Sequence, residues 1–469
     1  MKGKKIFFSF NTFFHSIRGD IFFALLSVLL ITSLTHNLNF MSYFAFAPFL
    51  MIIHRKNFRY ALLFGAFIGL VVSLLSFDWA YNYVGGSLYV LVVIVTTLFF
   101  AAFAALTNFI YHKTKYMSLL AAPIMWVWLM LVLDFTKYGG YIFEISMYNP
   151  MTAPLIWLIG GRGITFMVIA LNSAIAELFT KPSKKKILGV AIISAVLIFC
   201  YAYSGVAEAR GDTFKVVLMQ GNFNQSWGWR QDNVREIFAN YQKMSYGQSG
   251  KDLIVWPEFA IPTDISFDPF ISKGLQEIAK NNNAFFITGS LIFDVITKNH
   301  YDVALLFDKK GDVIDTFKSV KPAFYNRNTL KGEGVVKPFV LDNKKAGIMI
   351  CAEEMDSKIS RLQVKQGAQF LISISNDQNL GRGIHLAKLY PRLRAAENYK
   401  YLVRATNTGI TQIVNPYGKT KEIEENERKI LIGEILLNEH KTPYTIYGDI
   451  PLYSLTFLII LLIKKRRTR

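Results

Sequence analysis

Three residues of complementary chemistry each follow or end a short apolar run that reads as a β-strand in this 469-residue chain. They are the carboxylate Glu258, the ammonium Lys318 and the thiol Cys351. In α/β sheets, ligands bind beyond the carboxyl ends of strands, so three such ends can meet at one cleft. A thiol with a base and a cation beside it can perform acyl transfer through a thioester.

Each of the three residues suits a different task in that reaction. A cysteine thiol has a reference pKa of about 8.5, so Cys351 needs a base in order to attack at neutral pH. Glu258 can take the proton, whereas Lys318 and the backbone N–H of Ala352 can stabilise the oxyanion. Lys321 competes with Lys318 for the role of the cation. Each residue also has an ordinary interpretation, as a surface Glu, a surface Lys or a buried Cys.

Apolar runs indicate a membrane protein with a soluble part. Hydrophobic residues make up 52% of the chain and charged residues 18%, below the roughly 25% charged residues of soluble domains. The eight predicted spans are residues 20–34, 37–53, 60–77, 88–110, 117–134, 162–180, 187–204 and 451–463. Residues 138–150 are predicted to re-enter the membrane or to lie at its interface. Arg162 would need a partner at membrane depth, which makes it a weak site candidate.

The net charge of +19 could indicate binding to nucleic acid, but most of the excess flanks the predicted spans. Basic clusters beside apolar spans are typical of membrane topology, so we expect no nucleic-acid partner. If the N-terminus is cytoplasmic, every short basic loop lies inside and residues 205–450 lie outside the membrane. The seven scattered histidines show no metal-ligand spacing, and we expect no metal and no cofactor.

Composition divides the chain into three predicted parts. Residues 1–204 form a bundle of seven spans, residues 205–450 an α/β domain outside the membrane, and residues 451–469 a last span with a basic tail. The predicted strands are residues 214–220, 252–257, 284–290, 302–308, 312–318, 346–351, 369–375, 401–406, 410–414 and 429–436. The predicted helices of this domain are residues 230–247, 268–281, 355–367 and 384–399.

Motifs around the three reactive residues resemble those of the nitrilase, or carbon–nitrogen hydrolase, superfamily, whose members use a Glu-Lys-Cys triad. The motifs are Gln220-Gly-Asn-Phe-Asn-Gln225 before Trp229, Trp256-Pro-Glu-Phe-Ala-Ile-Pro262, Ile350-Cys-Ala-Glu353, Ser375-Asn-Asp377, His385-Leu386, Arg392-Leu-Arg-Ala-Ala-Glu-Asn398, Val403-Arg-Ala-Thr-Asn-Thr-Gly-Ile410 and Asn415-Pro-Tyr-Gly418. The membrane spans narrow the resemblance to the apolipoprotein N-acyltransferase family.

That resemblance implies an α-β-β-α sandwich domain on the periplasmic side of the bacterial inner membrane. It implies that Cys351 takes a fatty acyl chain from a membrane phospholipid. The N-terminal amine of diacylglyceryl-cysteine in an apolipoprotein then accepts the chain, and the enzyme is expected to be a monomer. Glu258 is implied as the base and Lys318 as the oxyanion stabiliser. The residues implied to bind substrate or support the site are Trp229, Ala352, Glu353 and Asn376.

Two positions depart from the pattern of that family. A second glutamate is replaced by Asn326, and Glu333 or Glu354 could compensate for it. A Trp-Phe pair that belongs to the acyl-binding lid is replaced by Asn379-Leu380. The altered loops keep a second hypothesis open, a membrane-tethered amidase or an acyltransferase with a different acceptor. A third hypothesis is a protein that binds a lipid or lipoprotein without turnover, but the presence of all three triad residues argues against it.

Overall fold

The computed structural model describes residues 16–36, 38–114, 119–136, 140, 143–149, 152, 154–180, 182–224, 231–322, 329–334 and 336–467. The chain separates into two compact units. The first comprises Met1–Asn149, Gly161–Tyr201 and Asp449–Arg469, and the second comprises Pro150–Gly160 and Ala202–Gly448.

The first unit is helical. Its helices are α1 (Ile17–Ser33), α2 (Ala47–Arg55), α3 (Phe58–Ser76), α4 (Ala80–Val84), α5 (Gly86–Lys113), α6 (Ala121–Asp134), most of α7 (Leu155–Thr180) and of α8 (Lys184–Val206), and a terminal helix (Ile450–Arg467). Short 3₁₀ turns lie at Leu34–His36, Asn39–Tyr43 and Ile145–Tyr148.

Five helices among the described residues are long and apolar enough to cross a membrane. They correspond to the predicted spans at 20–34, 60–77, 88–110, 162–180 and 187–204. Two further predicted spans are apolar helices that fall short of that length, Ala121–Asp134 and Ile450–Leu462. The prediction at 37–53 is split between a 3₁₀ turn and the nine-residue helix α2, so the described structure supports about five spans rather than eight.

Arg162 of α7 has charged partners inside the first unit. Its guanidinium lies 2.6 Å from Asp134 at the end of α6 and 3.8 Å from Asp449 before the terminal helix. It also donates a hydrogen bond of 2.8 Å to the hydroxyl of Tyr453. A charge at membrane depth is costly unless it is paired, so these contacts explain how the apolar bundle holds an arginine.

The second unit contains two sheets. Its strands are β1 (Asp212–Gln220), β2 (Leu253–Val255), β3 (Phe285–Asp294), β4 (Asn299–Phe307), β5 (Val313–Lys318), β6 (Thr329–Leu330), β7 (Phe339–Leu341), β8 (Lys344–Ile350), β9 (Phe370–Ser375), β10 (Leu402–Thr406), β11 (Thr411–Val414), β12 (Thr420–Ile423) and β13 (Lys429–Leu437). The first sheet has the order β13-β1-β2-β3-β4-β5, with β6 paired to β4. The second has the order β12-β11-β10-β9-β8-β7.

The central strands of each sheet are parallel, and their side chains are buried on both faces. Strands β1, β2 and β3 run parallel in the first sheet, and β8, β9 and β10 in the second. Every residue of β9 is buried, as expected for a strand that is covered on both sides. The carboxyl ends of these parallel strands are therefore the places where polar side chains can gather around a cleft.

The described residues of the second unit also form six further helices, four of which pack on the outer faces of the sheets. The six are α9 (Gln231–Ser245), α10 (Pro269–Asn282), α11 (Ser357–Lys365), α12 (Ile384–Ala387), α13 (Leu389–Asn398) and α14 (Pro443–Tyr447). One apolar cluster contains side chains of both sheets, among them Val255 and Ile348, so the sheets pack face to face. A second cluster joins the first sheet to α9 and α10, and a third joins the second sheet to α11 and α13. The layers run helices, sheet, sheet, helices.

The sequence pattern predicts most elements of this unit to within a few residues. Ten of the strands and four helical regions lie where alternation and apolar runs place them. Strands β6, β7 and β12 are not predicted, because runs of only two to four residues give little strand signal. The predicted helix at 384–399 is interrupted at Lys388, between α12 and α13.

Candidate active site

Cys351 is the first residue after β8, and the backbone turns sharply there. Its φ of +53° lies in the left-handed region, which is uncommon for a residue with a Cβ. Cys351–Met355 forms one 3₁₀ turn, and α11 begins directly afterwards with Asp356 as its N-cap. The side chain is half-buried against the apolar cluster between the sheets. A strained turn thus presents the thiol at the carboxyl end of a buried strand.

Glu258 reaches the interior from the first sheet. It follows β2 after Trp256 and Pro257, and its side chain is only 1% exposed. Trp256 is fully buried and stacks on Tyr241 with the ring centroids 4.8 Å apart, which anchors the segment. The next residue, Phe259, has a φ of +51°, so the chain turns sharply here as it does after β8. Two sharp turns therefore place a carboxyl group and a thiol inside one unit.

The thiol of Cys351, the carboxyl group of Glu258 and the backbone of Asn376 are in contact. Glu258 is hydrogen-bonded to the thiol, and the backbone N–H of Asn376, which follows β9, donates to the same carboxyl group. Burial raises the pKa of Glu258 well above its ordinary value of 4.5. Burial also raises the pKa of the Cys351 thiol well above 9.0, and the neighbouring carboxylates Glu258 and Asp377 raise it further. At neutral pH the thiol therefore keeps its proton and touches a carboxyl group of raised basicity.

Glu353 links the turn that carries the thiol to the segment after β5. One carboxylate oxygen accepts hydrogen bonds from the Ser319 hydroxyl at 3.1 Å, the Val320 N–H at 2.7 Å and the Lys321 N–H at 3.1 Å. The other oxygen accepts from the Ile350 N–H at 2.8 Å. Burial raises the pKa of Glu353 to about 7 although these hydrogen bonds lower it. These hydrogen bonds hold the turn against the segment after β5, and none of them is made to the thiol.

The ammonium of Lys318 lies away from the thiol. Lys318 is exposed, and its Nζ sits 4.2 Å from the centroid of the Tyr301 ring. It is directly opposite Val303 in the antiparallel pair of β4 and β5, and Val303 packs on the helix-covered face of the sheet. Opposed residues of such a pair share a face, so the side chain of Lys318 projects from the face of the sheet that is turned away from the second sheet. Lys321 instead pairs with Asp356, at 3.3 Å.

A second group of buried charges lies behind the cysteine turn. Arg404 of β10 is 1% exposed and donates to Glu354 at 2.7 Å and to both oxygens of Asp377 at 2.9 and 3.1 Å. Burial raises the pKa of Glu354, whereas Arg404 lowers it. Gly409 leaves room for this arrangement, because a Cβ there would lie 2.4 Å from Asp377 Oδ2. Bidentate charge-assisted hydrogen bonds hold these carboxylates in fixed positions.

The remaining predicted site residues are placed as follows. Ala352 follows the thiol in its 3₁₀ turn and is half-buried. Trp229 and Asn326 lie outside the described residues. In the departure at Asn379-Leu380, Leu380 is buried, and its N–H donates to the carbonyl of Asp377 at 3.0 Å. The structure therefore brings together Glu258, Cys351 and Asn376, and it leaves the ammonium of Lys318 apart.

Sequence reasoning missed two residues of this region. Asp302 in β4 is 4% exposed and forms a side-chain hydrogen bond with Glu258. An acidic residue next to the apolar run Val303-Ala-Leu-Leu-Phe307 was the signal that could have revealed it. Arg404 stands inside a motif of the sequence, but its pairing with carboxylates from two other strand ends depends on the three-dimensional arrangement of the sheet.

This arrangement can perform general-base activation of a thiol. The carboxyl group contacts the sulfur, burial raises its pKa and so its basicity, and a backbone N–H orients it. Attack by the resulting thiolate on an ester or amide carbonyl would form a covalent acyl-cysteine.

Two protein-family models match different parts of this chain. Residues 218–442, which include the thiol and most strands of both sheets, match the family model of carbon-nitrogen hydrolase. Residues 25–174 match the model of the apolipoprotein N-acyltransferase N-terminal domain. The second unit is therefore a carbon–nitrogen hydrolase domain. With the matching N-terminal region, the chain belongs to the apolipoprotein N-acyltransferase family.

Relatives of similar length carry the name of that family. The apolipoprotein N-acyltransferase of Geobacter metallireducens is 27% identical over 92% of this chain and 92% of its own length. That of Haemophilus influenzae is 27% identical over 78% of this chain and 77% of its own. Among solved structures, Saccharomyces cerevisiae Nit3, a member of the nitrilase superfamily, gives a TM-score of 0.42 at 19% identity, covering 52% of this chain and 97% of Nit3.

Proposed function

We propose that this chain transfers a fatty acyl group from a membrane phospholipid to the N-terminal amine of diacylglyceryl-cysteine in apolipoproteins. The acyl group passes through a thioester on Cys351. The observation that carries the proposal is the contact between that thiol and the buried carboxyl group of Glu258, in a chain whose relatives are named apolipoprotein N-acyltransferase. Apolar helices in the same chain as the catalytic domain suit substrates that are both held in a bilayer.

The proposed first step acylates the enzyme. Glu258 takes the proton of Cys351, and the thiolate attacks the ester carbonyl of the phospholipid. The sulfur–carbon bond forms, the carbon–oxygen bond to glycerol breaks, and the proton passes from Glu258 to the leaving oxygen to give a lysophospholipid. In the second step the lipoprotein amine attacks the thioester. The carbon–nitrogen bond forms, the carbon–sulfur bond breaks, and Glu258 carries a proton from the amine to the sulfur.

Lys318 is the proposed cation of the triad, and its role requires a movement. Its ammonium must leave the face of Tyr301 in order to approach the oxyanion. A cation–π contact at an exposed site is worth only about 0.5–1 kcal/mol. The negative charge that develops on the carbonyl oxygen is a stronger attraction in a site that excludes water. Ala352 is proposed to add a backbone N–H donor, and Trp229 to support substrate binding.

The proposed setting is the bacterial inner membrane, with eight spans and the catalytic domain on the periplasmic side. Residues 1–204 supply seven spans, residues 205–450 the catalytic domain, and residues 451–469 the last span and the cytoplasmic tail. Helices α2, α6 and the terminal helix, which are shorter than a full span, would cross with help from aromatic flanks. The protein is proposed to act as a monomer.

The test is complementation of a bacterial strain depleted of its own apolipoprotein N-acyltransferase. Mass spectrometry of lipoprotein N-terminal peptides reports acylation by the wild type, by Cys351→Ala and by the matched control Cys200→Ala, whose cysteine lies in α8. Wild type and the control should restore N-acylated peptides, and Cys351→Ala should leave them diacylated. Diacylated peptides with wild type would refute the function. Full acylation by Cys351→Ala would refute the thioester.

A further inference from the structure

Asp302 and Glu258 form a pair of buried carboxyl groups that the family motifs do not include. Asp302 is 4% exposed and Glu258 1% exposed. Their side chains lie within hydrogen-bonding reach of each other, and one oxygen of each has no donor among the described residues. A hydrogen bond between two carboxyl groups needs a proton on one of them, because an ionised carboxylate can only accept. The pair therefore holds at least one proton whenever this contact exists.

The backbone brings the two groups together across an intervening strand. Glu258 follows β2 and Asp302 lies in β4, with β3 between them. Gly289 of β3 lies on the face of the sheet that packs against the second sheet. It is two residues from Ile287, which belongs to the apolar cluster between the two sheets, and residues two apart in a strand share a face. A Cβ at Gly289 would lie 2.5 Å from the carbonyl oxygen of Pro257 and 2.6 Å from Glu258 Cα. The missing side chain lets Glu258 lie over β3 and reach Asp302.

One oxygen of each carboxyl group lacks a donor within the described part of the chain. Glu258 Oε2 and Asp302 Oδ1 are buried and accept no hydrogen bond from any described residue. Neither carboxyl group forms an ion pair with a described Lys, Arg or His. Two unpaired buried carboxylates would carry a large desolvation cost, which one shared proton reduces.

We propose that Asp302 is a positioning residue for the reaction at Cys351, and that it acts by sharing one proton with Glu258. The shared proton sits on Asp302 when Glu258 accepts the proton of the thiol. The negative charge then moves from the carboxyl pair to the sulfur, so the number of protons and the total charge are unchanged. When Glu258 gives its proton to the leaving oxygen, the pair returns to one proton and one negative charge. This inference rests on the proposed function only for the identity of the leaving group.

The surroundings of the pair fit that assignment. Burial is the first cause that raises the pKa of Asp302, to about 7; the hydrogen bond with Glu258 lowers this pKa and the nearby Glu353 raises it. The titratable or charged groups that face the pair or its thiol are Cys351, Glu353, Glu354 and Asp377, with Arg404 behind them. All of these apart from the arginine are acidic. A second ionised carboxylate beside the thiol would oppose thiolate formation, whereas a shared proton leaves only one.

Infrared spectroscopy of the full chain in detergent tests the shared proton without any need for activity. Spectra at pH 8 are compared between wild type and three variants, Asp302→Asn, Glu258→Gln and the control Asp312→Asn. Asp312 is an exposed acid in the turn between β4 and β5. We expect wild type and the control to show the carbonyl stretch of one protonated carboxylic acid that both isosteric site variants lose. Thermal unfolding checks that each variant is folded, and if one is not, the other decides.

Each other outcome overturns the inference. A band that survives Asp302→Asn belongs to Glu258 alone, a band that survives Glu258→Gln belongs to Asp302 alone, and no band in wild type means no shared proton.

The rate of thioester formation against pH gives a second readout. The rate for wild type should fall at alkaline pH, where the shared proton dissociates. The rate for Asp302→Asn should show no such fall, and at the pH where this variant is fastest it should be about tenfold below the wild-type rate. An unchanged profile would leave Asp302 only structural. If wild type forms no thioester, the proposed function fails while the infrared result still stands.

Discussion

Two groups of buried carboxyls lie next to the same cysteine, and they are neutralised in opposite ways. Glu354 and Asp377 are held by Arg404 through three charge-assisted hydrogen bonds. Glu258 and Asp302 are hydrogen-bonded to each other and have no cationic partner within the described residues. The arginine-bound group is a fixed scaffold. The other group can gain and lose protons.

The difference explains why Glu258 suits the role of the proposed base and Glu354 does not. Burial raises the pKa of Glu354 only to a limited extent because Arg404 offsets it. Burial raises the pKa of Glu258 much further, since a carboxyl neighbour adds to the effect instead of opposing it. A base is effective when its pKa lies near the working pH, so the pair of Glu258 and Asp302, which has no cationic partner among the described residues, suits proton transfer. Glu354 and Asp377, which are bound by Arg404, instead hold the turn that carries Cys351 in place.

The largest effect is expected from removing the base. Glu258→Gln keeps the shape of the side chain but cannot take the thiol proton, so thioester formation should fall by about 10²–10⁴-fold. The folded state should keep its stability, because a costly buried carboxyl is replaced by a neutral amide. Single-turnover acylation with a labelled phospholipid measures the rate, and thermal unfolding measures the fold. A variant with the wild-type rate would assign the base elsewhere.

Removing the arginine should instead destabilise the fold. Arg404→Met leaves two buried carboxylates without their cation, which should cost about 3–5 kcal/mol of unfolding free energy. The matched control is Arg235→Met, because Arg235 is exposed in α9 and its pair with Asp268 is worth at most about 1 kcal/mol. Thermal unfolding of the purified proteins compares them. Equal melting temperatures for the two variants would contradict the scaffold role.

The two lysines after β5 should separate catalysis from structure. Lys318→Met should slow thioester formation about 10²-fold, since a cation near the oxyanion is lost, with little change in stability. Lys321→Met breaks a partly exposed pair with Asp356 and should change stability by no more than about 1 kcal/mol, with the rate nearly intact. Acylation rates of both variants decide the assignment. The reverse ranking of rates would make Lys321 the cation.

A further expected effect is on the pH dependence of stability. The pKa of Asp302 is raised to about 7 from 3.8, so the folded state binds more protons than the unfolded state between about pH 4 and 7. Unfolding free energy therefore falls as pH rises through that window, and Asp302 contributes at most about 1.4 kcal/mol per pH unit. Asp302→Asn should flatten the slope relative to Asp312→Asn. Identical slopes from pH 5 to 8 would exclude a raised pKa at this position.

Local sequence pattern was sufficient for the strand ends but not for what meets across them. Glu258 and Cys351 were predicted at the carboxyl ends of strands, and the structure places them there, in contact. Lys318 also ends a strand, but the antiparallel register with Val303 turns it to the opposite face. Register depends on how a strand pairs with its neighbour, which apolar alternation within one strand does not reveal.

Long-range contacts account for the other missed features. The pairing of Asp302 with Glu258 crosses a whole strand and depends on the absence of a side chain at Gly289. Among the described residues, five of the eight predicted spans are helices long enough to cross a membrane, and the other three are not confirmed. Apolar runs predict burial in a bundle as readily as a membrane crossing. Helix α2, with most of its residues buried, is the clearest example.

The most direct test of the central claim is to look for the acyl group on Cys351. Purified full-length protein is mixed with a phospholipid that carries an isotope-labelled acyl chain, without any acceptor, and the peptide that contains Cys351 is analysed by mass spectrometry before and after neutral hydroxylamine. We predict that this peptide gains the labelled acyl mass, that hydroxylamine removes it, and that Cys351→Ala never acquires it. A labelled peptide in Cys351→Ala, or an unmodified Cys351 in a wild-type protein that still N-acylates lipoproteins, would contradict the account.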